Sequence, residues 1–363
     1  MKKIIKRIFL SVFILIFAFI AYFLITYFMR FQSIGTIKKL TNYKDYNVYS
    51  MNIKYDYSID NIIDKGITDT QSMVDAIVKE TLPLLPIKIE LPDFGCSVFS
   101  TKNTNNQFLM GRNYDFKYDT SALMVYCQPK DGYKSVAFAA LNNVNADDPQ
   151  ASLTKKMTCL TAPFICLDGM NEKGVSIAVL TLDSKPTKQE TGKQVIATSL
   201  AIRLVLDKAA TTEEAIELLS NYDMYAANGR DYHFYITDAS GDGRVVEYDC
   251  DSKTREMVVT SSRTVTNFYV SHIDQVLPNQ NNDPYGHGKE RYDAIEEVLT
   301  ENENSITKDV AWQALEAAAQ DPNPNDVTSN TQWSIVYNNT KHSCEIVLRR
   351  KWNDHLSFKV TPK

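Results

Sequence analysis

A chain of 363 residues, 44% of them hydrophobic, carries enough apolar material for one large core or two ordinary ones, which excludes an intrinsically disordered protein. Its 39 basic and 44 acidic residues are mixed along the sequence and leave a net charge of −5, which excludes nucleic acid as the expected partner. Six cysteines in a chain of this length are too few for a disulfide framework, and most read as small core residues.

Phe9 to Met29 is uncharged and mostly apolar. At ~1.5 Å per helical residue it reaches about 31 Å, which matches a hydrocarbon core of ~30 Å. Bulky Tyr22, Phe23, Tyr27 and Phe28 run to its end, where a cleavable signal would place small residues. Residues 1–30 are therefore expected to form an uncleaved membrane anchor. Lys2, Lys3, Lys6 and Arg7 precede the span and Arg30, Lys38 and Lys39 follow it, a slight bias that places the bulk of the chain outside a cell membrane.

Residues 31–95 read as a pro-segment: polar at first, then a helical pattern around Gln71 to Leu82. Pro83, Pro86 and Pro92 break any helix beyond it and impose an extended approach to Gly95.

From Cys96 onward the pattern is strand-rich. Cys96 to Ser100, Phe108 to Arg112, Ala122 to Gln128 and Ser135 to Leu141 are short β-like runs that predict a meander, and Val175 to Leu182 follows a turn over Asp168 to Gly174. Two helices come next, over Gln194 to Lys208 and from the capping box that opens at Thr211. Strands return at Tyr232 to Thr237, Arg244 to Tyr248, Glu256 to Thr260 and Thr264 to Phe268. Helices at Lys289 to Thr300 and Lys308 to Ala319 precede last strands at Gln332 to Tyr337, Glu345 to Leu348 and Leu356 to Val360. This alternation predicts an α+β fold with helices outside a pair of packed sheets.

Several standard sites are missing. The chain has no Gly-x-Ser-x-Gly, no His-Glu-x-x-His, no phosphate loop and no Cys-x-x-Cys, and its five histidines lack metal-ligand spacing. Neither a metal nor an organic cofactor is expected.

Cys96 stands out through its neighbours. Gly95 has no Cβ, so its carbonyl can be approached closely by a nucleophile, which favours self-cleavage between Gly95 and Cys96. The α-amine so released has a reference pKa of ~7.7–8.0 against ~8.5 for the thiol and can accept the thiol proton. Arg112 and Asp115, in Gly111-Arg112-Asn113-Tyr114-Asp115-Phe116, supply a guanidinium to stabilise a thiolate and a carboxylate to hold the amine. Taken alone, the same residues also read as a buried cysteine and a surface Arg/Asp pair.

Gly95-Cys96, the hexapeptide from Gly111, and Asp168-Gly169-Met170-Asn171-Glu172-Lys173-Gly174 together resemble the choloylglycine hydrolase family of N-terminal-nucleophile hydrolases. Conjugated bile acid hydrolases and penicillin V acylases belong to it; acid ceramidase, the N-acylethanolamine acid amidase and the isopenicillin N acyltransferase are relatives. The resemblance continues through His233 to Gly241 with Glu247, Thr266-Asn267, Glu290-Arg291-Tyr292 and Gln332 to Tyr337. It implies a four-layer αββα sandwich over residues 96–363 and cleavage of a linear carbon–nitrogen amide bond through a thioester. It also implies Cys96 as nucleophile, Arg112 and Asp115 as its positioning groups, Asn267 as an oxyanion donor and Arg291 as a second active-site arginine. The other oxyanion donor falls at Thr181, where bile acid hydrolases usually have asparagine, so a backbone N–H is expected there.

This chain departs from the bile acid hydrolases at the front, where 95 residues precede the cysteine; that organisation looks like the ceramidase-type relatives. Residues 1–95 contain no cysteine, so only noncovalent packing can retain them after cleavage. The expected partner is a small-molecule amide with an apolar acyl group, and a homo-oligomer stays open. Rival readings are an acyltransferase on the same fold, a papain-like thiol hydrolase using Cys96, His233 and Asn267, and a noncatalytic surface binding protein.

Overall fold

The computed structural model of the chain describes residues 2–85, 95–116, 118–277, 285–323, 325 and 329–360. Pro86, Pro92 and the expected extended approach to Gly95 lie outside the described residues.

The elements run α1 (Lys2–Gly35), β1 (Lys38–Lys39), β2 (Val48–Asn52), α2 (Ile59–Ile63) and α3 (Thr70–Thr81), and then β3 (Gly95–Lys102), β4 (Phe108–Asp115), β5 (Ala122–Cys127) and β6 (Ser135–Ala140). After α4 (Leu153–Thr158) come β7 (Asp168–Asn171), β8 (Ser176–Leu182), β9 (Gln194–Ala197), α5 (Thr198–Lys208), α6 (Thr212–Ser220) and β10 (Tyr222–Tyr225). The chain continues with β11 (Asp231–Thr237), β12 (Gly243–Tyr248), β13 (Met257–Ser261), β14 (Thr264–Val265) and α7 (Ile273–Val276). It closes with α8 (Lys289–Glu301), α9 (Lys308–Ala317), β15 (Thr331–Asn338), β16 (Ser343–Leu348) and β17 (Leu356–Lys359).

Two large sheets pack face to face. One has six strands in the order β14-β3-β4-β15-β16-β17, the other nine in the order β1-β2-β5-β6-β7-β8-β11-β12-β13. Helices α8 and α9 cover the first, and α5 and α6 cover the second, which completes the αββα layering. Strand alternation decides which side chains enter which layer. Along β3 and β4, Phe99 and Leu109 join Ile295, Leu299 and Leu315 under the helices, while Cys96, Val98, Met110 and Tyr114 point into the space between the sheets. Gly111 lies on the helix side, where a Cβ would come within 2.4 Å of the Phe99 ring.

The structure departs from the sequence expectation in four places. The run from Cys96 to Leu141 is not one meander: β3 and β4 form a hairpin in the six-stranded sheet, and β5 and β6 pair in the other. Asp168 to Asn171 is a strand, because it finds β6 and β8 on either side, and only the residues after it turn. Gln194–Ala197 looks helical by spacing but pairs in parallel with β10, so α5 starts at Thr198. The ladder at Thr264 ends after Val265, which frees Thr266 to Phe268 from pairing with β3.

The N-terminal residues are built into the same core. Strand β2 runs parallel to β5, with Val48 opposite Ala122 and Asn52 opposite Tyr126. Tyr27, Val48, Tyr49, Met51, Tyr57, Ile62, Met73 and Ile77 are all buried in the main hydrophobic cluster. The Tyr57 hydroxyl donates to Oδ1 of Asp207 at 3.2 Å, and Asp207 is the partner of fully buried Arg203 at 2.6 Å.

Helix α1 is long and apolar enough over Ile4–Gly35 to cross a membrane. Its last turns dock on the domain. Arg30 donates to the carbonyls of Thr81 (2.6 Å) and Glu80 (2.7 Å), the end of α3, where a cation meets the negative pole of the helix dipole. Arg30 also sits 4.8 Å from the Tyr55 ring centroid, a cation–π contact.

Candidate active site

The antiparallel hairpin of β3 and β4 sets Cys96 opposite Tyr114 and Val98 opposite Arg112. Cys96, Arg112 and Tyr114 therefore share the inner face, and Nη2 of Arg112 reaches Sγ of Cys96 at 3.2 Å. The guanidinium is fixed from behind by Asp168 on β7, with Nε to Oδ2 at 2.8 Å and both side chains fully buried. Asp168 in turn accepts a hydrogen bond from the Tyr337 hydroxyl on β15. Each neighbour in this chain limits the freedom of the next, so the cation is held against the sulfur.

Asp115 lies opposite Gly95 on the outer face of the same hairpin, toward the helices. Thr331 donates to its Oδ1 at 2.7 Å, and Gln320 (3.4 Å) and Arg291 (3.5 Å) approach its Oδ2. Arg291, from the first turn of α8, donates through Nη1 to the carbonyl oxygen of Cys96 at 2.7 Å and to Oδ1 of Asn267 at 2.9 Å. Oδ1 of Asn267 also accepts the backbone N–H of Cys96 at 3.0 Å. The sulfur, nitrogen and carbonyl oxygen of Cys96 thus each have a polar partner on a different element.

Thr181 enters this network where β8, still paired with β11, has lost β7 from its other edge. The pairing of β7 with β8 ends with the Val179 N–H donating to the Leu167 carbonyl at 3.0 Å. Beyond Leu167 two carbonyls on that edge of β8 are taken by the site: Val179 O by Arg112 Nη2 (3.3 Å) and Thr181 O by Asn267 Nδ2 (2.8 Å). Nδ2 also donates to the Thr181 hydroxyl at 3.1 Å. Cys96, Arg112, Asp115, Asn267, Arg291 and Thr181, predicted from scattered sequence positions, form one continuous set of contacts. The detail differs from expectation at two residues: the Asn267 oxygen faces the Cys96 nitrogen while its NH₂ group is engaged by Thr181, and the Asp115 carboxylate meets Thr331, Gln320 and Arg291 instead of that nitrogen.

Burial controls the electrostatics. The Cys96 thiol is pushed up to about 12 by desolvation, with Arg112 pulling the other way. Asp115 and Asp168 are also raised by burial, opposed by Arg291 and Arg112 respectively. With Gly95 still attached, the thiol is fully enclosed and protonated, and its nitrogen is an amide with no basic lone pair.

His233 is not part of the site. Its ring nitrogens are engaged by Glu247 (3.0 Å) and the Thr266 carbonyl (2.9 Å), so the papain-like arrangement with Cys96 fails. The same Glu247 accepts the N–H groups of Val270 (2.7 Å) and Ser271 (2.8 Å), which braces the segment that starts at Asn267. Sequence reading missed this bracing, the Asp168–Tyr337 support and the roles of Thr331 and Gln320. It also missed Gly286 and Gly288, both at positive φ, where a Cβ would meet the Asn267 backbone oxygen at 2.1 Å and the Arg291 guanidinium at 2.5 Å. The Gly-x-Gly pattern just before Arg291 was the available signal.

Residues 96–267 match the family described as linear amide C–N hydrolases, choloylglycine hydrolase family. No curated protein matches the chain. Among solved structures, a variant of the conjugated bile acid hydrolase of Clostridium perfringens superposes with a TM-score of 0.53 at 17% identity, covering 73% of this chain and 92% of that one. The penicillin V acylase of Agrobacterium tumefaciens gives 0.50 at 19% identity, covering 70% and 83%. These likenesses establish the fold, and the family match establishes the class of bond that is hydrolysed.

Proposed function

We propose that the matched domain, a linear amide C–N hydrolase by family, works through Cys96 as an N-terminal nucleophile that the chain itself unmasks. The observation that carries this reading is the engagement of all three polar atoms of Cys96, by Arg112, Asn267 and Arg291. A structural cysteine has no need of a buried guanidinium at its sulfur.

In the unmasking step Sγ of Cys96 attacks the Gly95 carbonyl carbon. The C–S bond forms as the C–N bond breaks, and the nitrogen takes up the thiol proton. Water then hydrolyses the thioester, leaving a carboxylate on Gly95 and a free amine and thiol on Cys96. In turnover the amine accepts the thiol proton and Sγ attacks the substrate amide. The amine returns the proton to the leaving nitrogen, and water releases the acyl group as a carboxylic acid. Arg112 stabilises the thiolate, while Asn267 Oδ1 holds the amine in place. For the tetrahedral oxyanion, the Thr181 N–H, on the same edge of β8 as its carbonyl, would be one donor. Nδ2 of Asn267 becomes a second donor once it releases that carbonyl.

A cavity of about 40 Å³, lined by Asn143, Cys166, Val179, Thr198, Ile202 and Tyr232, lies behind the strand edge that meets Arg112, and its walls are mainly apolar. Asn143 Oδ1 is buried there without a hydrogen-bond partner among the described residues. Helix α1 would anchor the enzyme in a membrane, with the catalytic part on the extracytoplasmic side.

The test uses the full chain. Intact-mass analysis should find a new N-terminus at Cys96, and a panel of N-acyl amides with plain and hydroxylated acyl groups should show hydrolysis. Cys96→Ala should remain full-length and inactive; hydrolysis by that variant sinks the reading.

A further inference from the structure

A second cluster of reactive side chains lies away from Cys96, where the loop after β12 meets the segment after Asn267. Asp249, Cys250 and His272 bring a carboxylate oxygen, a thiol sulfur and an imidazole nitrogen within 4.8 Å of one another. Nε2 of His272 is 3.4 Å from Oδ1 of Asp249 and 3.9 Å from Oδ2 of Asp251, so a second carboxylate stands at the edge of the group. All three residues are half-buried, open enough for an ion to enter. The ring of His272 is held by stacking on Tyr285, with centroids 4.3 Å apart, and the Tyr285 hydroxyl donates to Asp251 at 3.0 Å.

We propose that Asp249, Cys250 and His272 bind a divalent transition-metal ion of the zinc type, outside the catalytic centre. Three donors of different chemistry converge from two separate segments, which sequence neighbours on a solvated surface have no reason to do. An oxygen, nitrogen and sulfur set suits zinc and its cobalt substitute, whereas calcium and magnesium call for oxygen alone. Binding forms the metal–sulfur bond and releases the thiol proton to water. A water, or Asp251, completes four-coordination. The ion would tie the loop after β12 to His272, five residues beyond Asn267 and next to the turn that Glu247 already clamps.

The experiment is a Co²⁺ titration of the full chain in detergent, carrying Cys96→Ala so that the nucleophile does not compete. The expected result is a thiolate-to-cobalt absorption band that saturates at a single equivalent and is bleached by Zn²⁺. Cys250→Ser should abolish the band, and His272→Ala should weaken binding by at least ~10-fold, with near-ultraviolet circular dichroism in EDTA unchanged. Absence of the band in the parent overturns the proposal, as does a band that survives Cys250→Ser. If Cys250→Ser fails to fold, unweakened binding by folded His272→Ala overturns it as well.

Discussion

The backbone N–H of Cys96 donates to Oδ1 of Asn267 at 3.0 Å, and that oxygen also accepts Nη1 of Arg291 at 2.9 Å. Two donors on one oxygen fix the orientation of the Asn267 amide, so its NH₂ group must face Thr181. In the mechanism we propose, the residue is both an acceptor for the Cys96 nitrogen and a stored donor for the substrate oxyanion. A carboxylate in its place would keep the first role and lose the second. Asn267→Asp is therefore expected to lower kcat by ~10²–10³, the usual cost of one oxyanion donor. Steady-state hydrolysis of the best amide in the panel measures it, and an unchanged kcat would leave Asn267 as a positioning residue only.

Arg112 and Asp168 form an ion pair that is sealed from water. Removing one partner leaves the other charge buried and alone, which costs roughly 3–5 kcal/mol. Arg112→Met should lose about that much stability in urea denaturation, and adding Asp168→Asn should recover part of it. A loss under ~1 kcal/mol in the single variant would mean that Asp168 is protonated or hydrated instead.

Burial raises the Cys96 and Cys159 thiols to about 12 and Cys127 to about 11. A thiol with a raised folded-state pKa binds more protons folded than unfolded once the pH passes its unfolded value of ~8.5. The stabilisation is complete below that value and is lost as the pH climbs toward 12. Stability of the uncut chain should thus fall between about pH 9 and pH 12, with proton release on unfolding. Cys127→Ala should flatten that slope, and an equally steep fall in the variant contradicts the assignment.

Residues 96–363 on their own would expose the edge of β5 that β2 now covers and would leave Asp207 without Tyr57. That fragment, made alone, is expected to aggregate, and co-expression with residues 1–95 should restore a soluble complex in detergent. Within the full chain, Tyr57→Phe should cost about 1.5–3 kcal/mol, the range for a hydrogen bond to a charged group. A monodisperse fragment with the melting temperature of the full chain would refute this dependence.

What the sequence determined by itself was local. Alternation along β3 and β4 and the spacing of Cys96, Arg112 and Asp115 follow from one hairpin, where period two decides which face a side chain occupies. The family resemblance extended this to Asn267 and Arg291 through motif order. Tertiary structure decided the rest, because periodicity names a face but not the partner across it. Only long-range pairing sends β3–β4 and β5–β6 to different sheets and turns the helical pattern at Gln194–Ala197 into a strand. Only the packed fold brings Asp168 and Tyr337 behind Arg112, and lays residues 48–77 into the core. The site's charges are buried, and a buried charge is stable only with partners that arrive from remote parts of the chain.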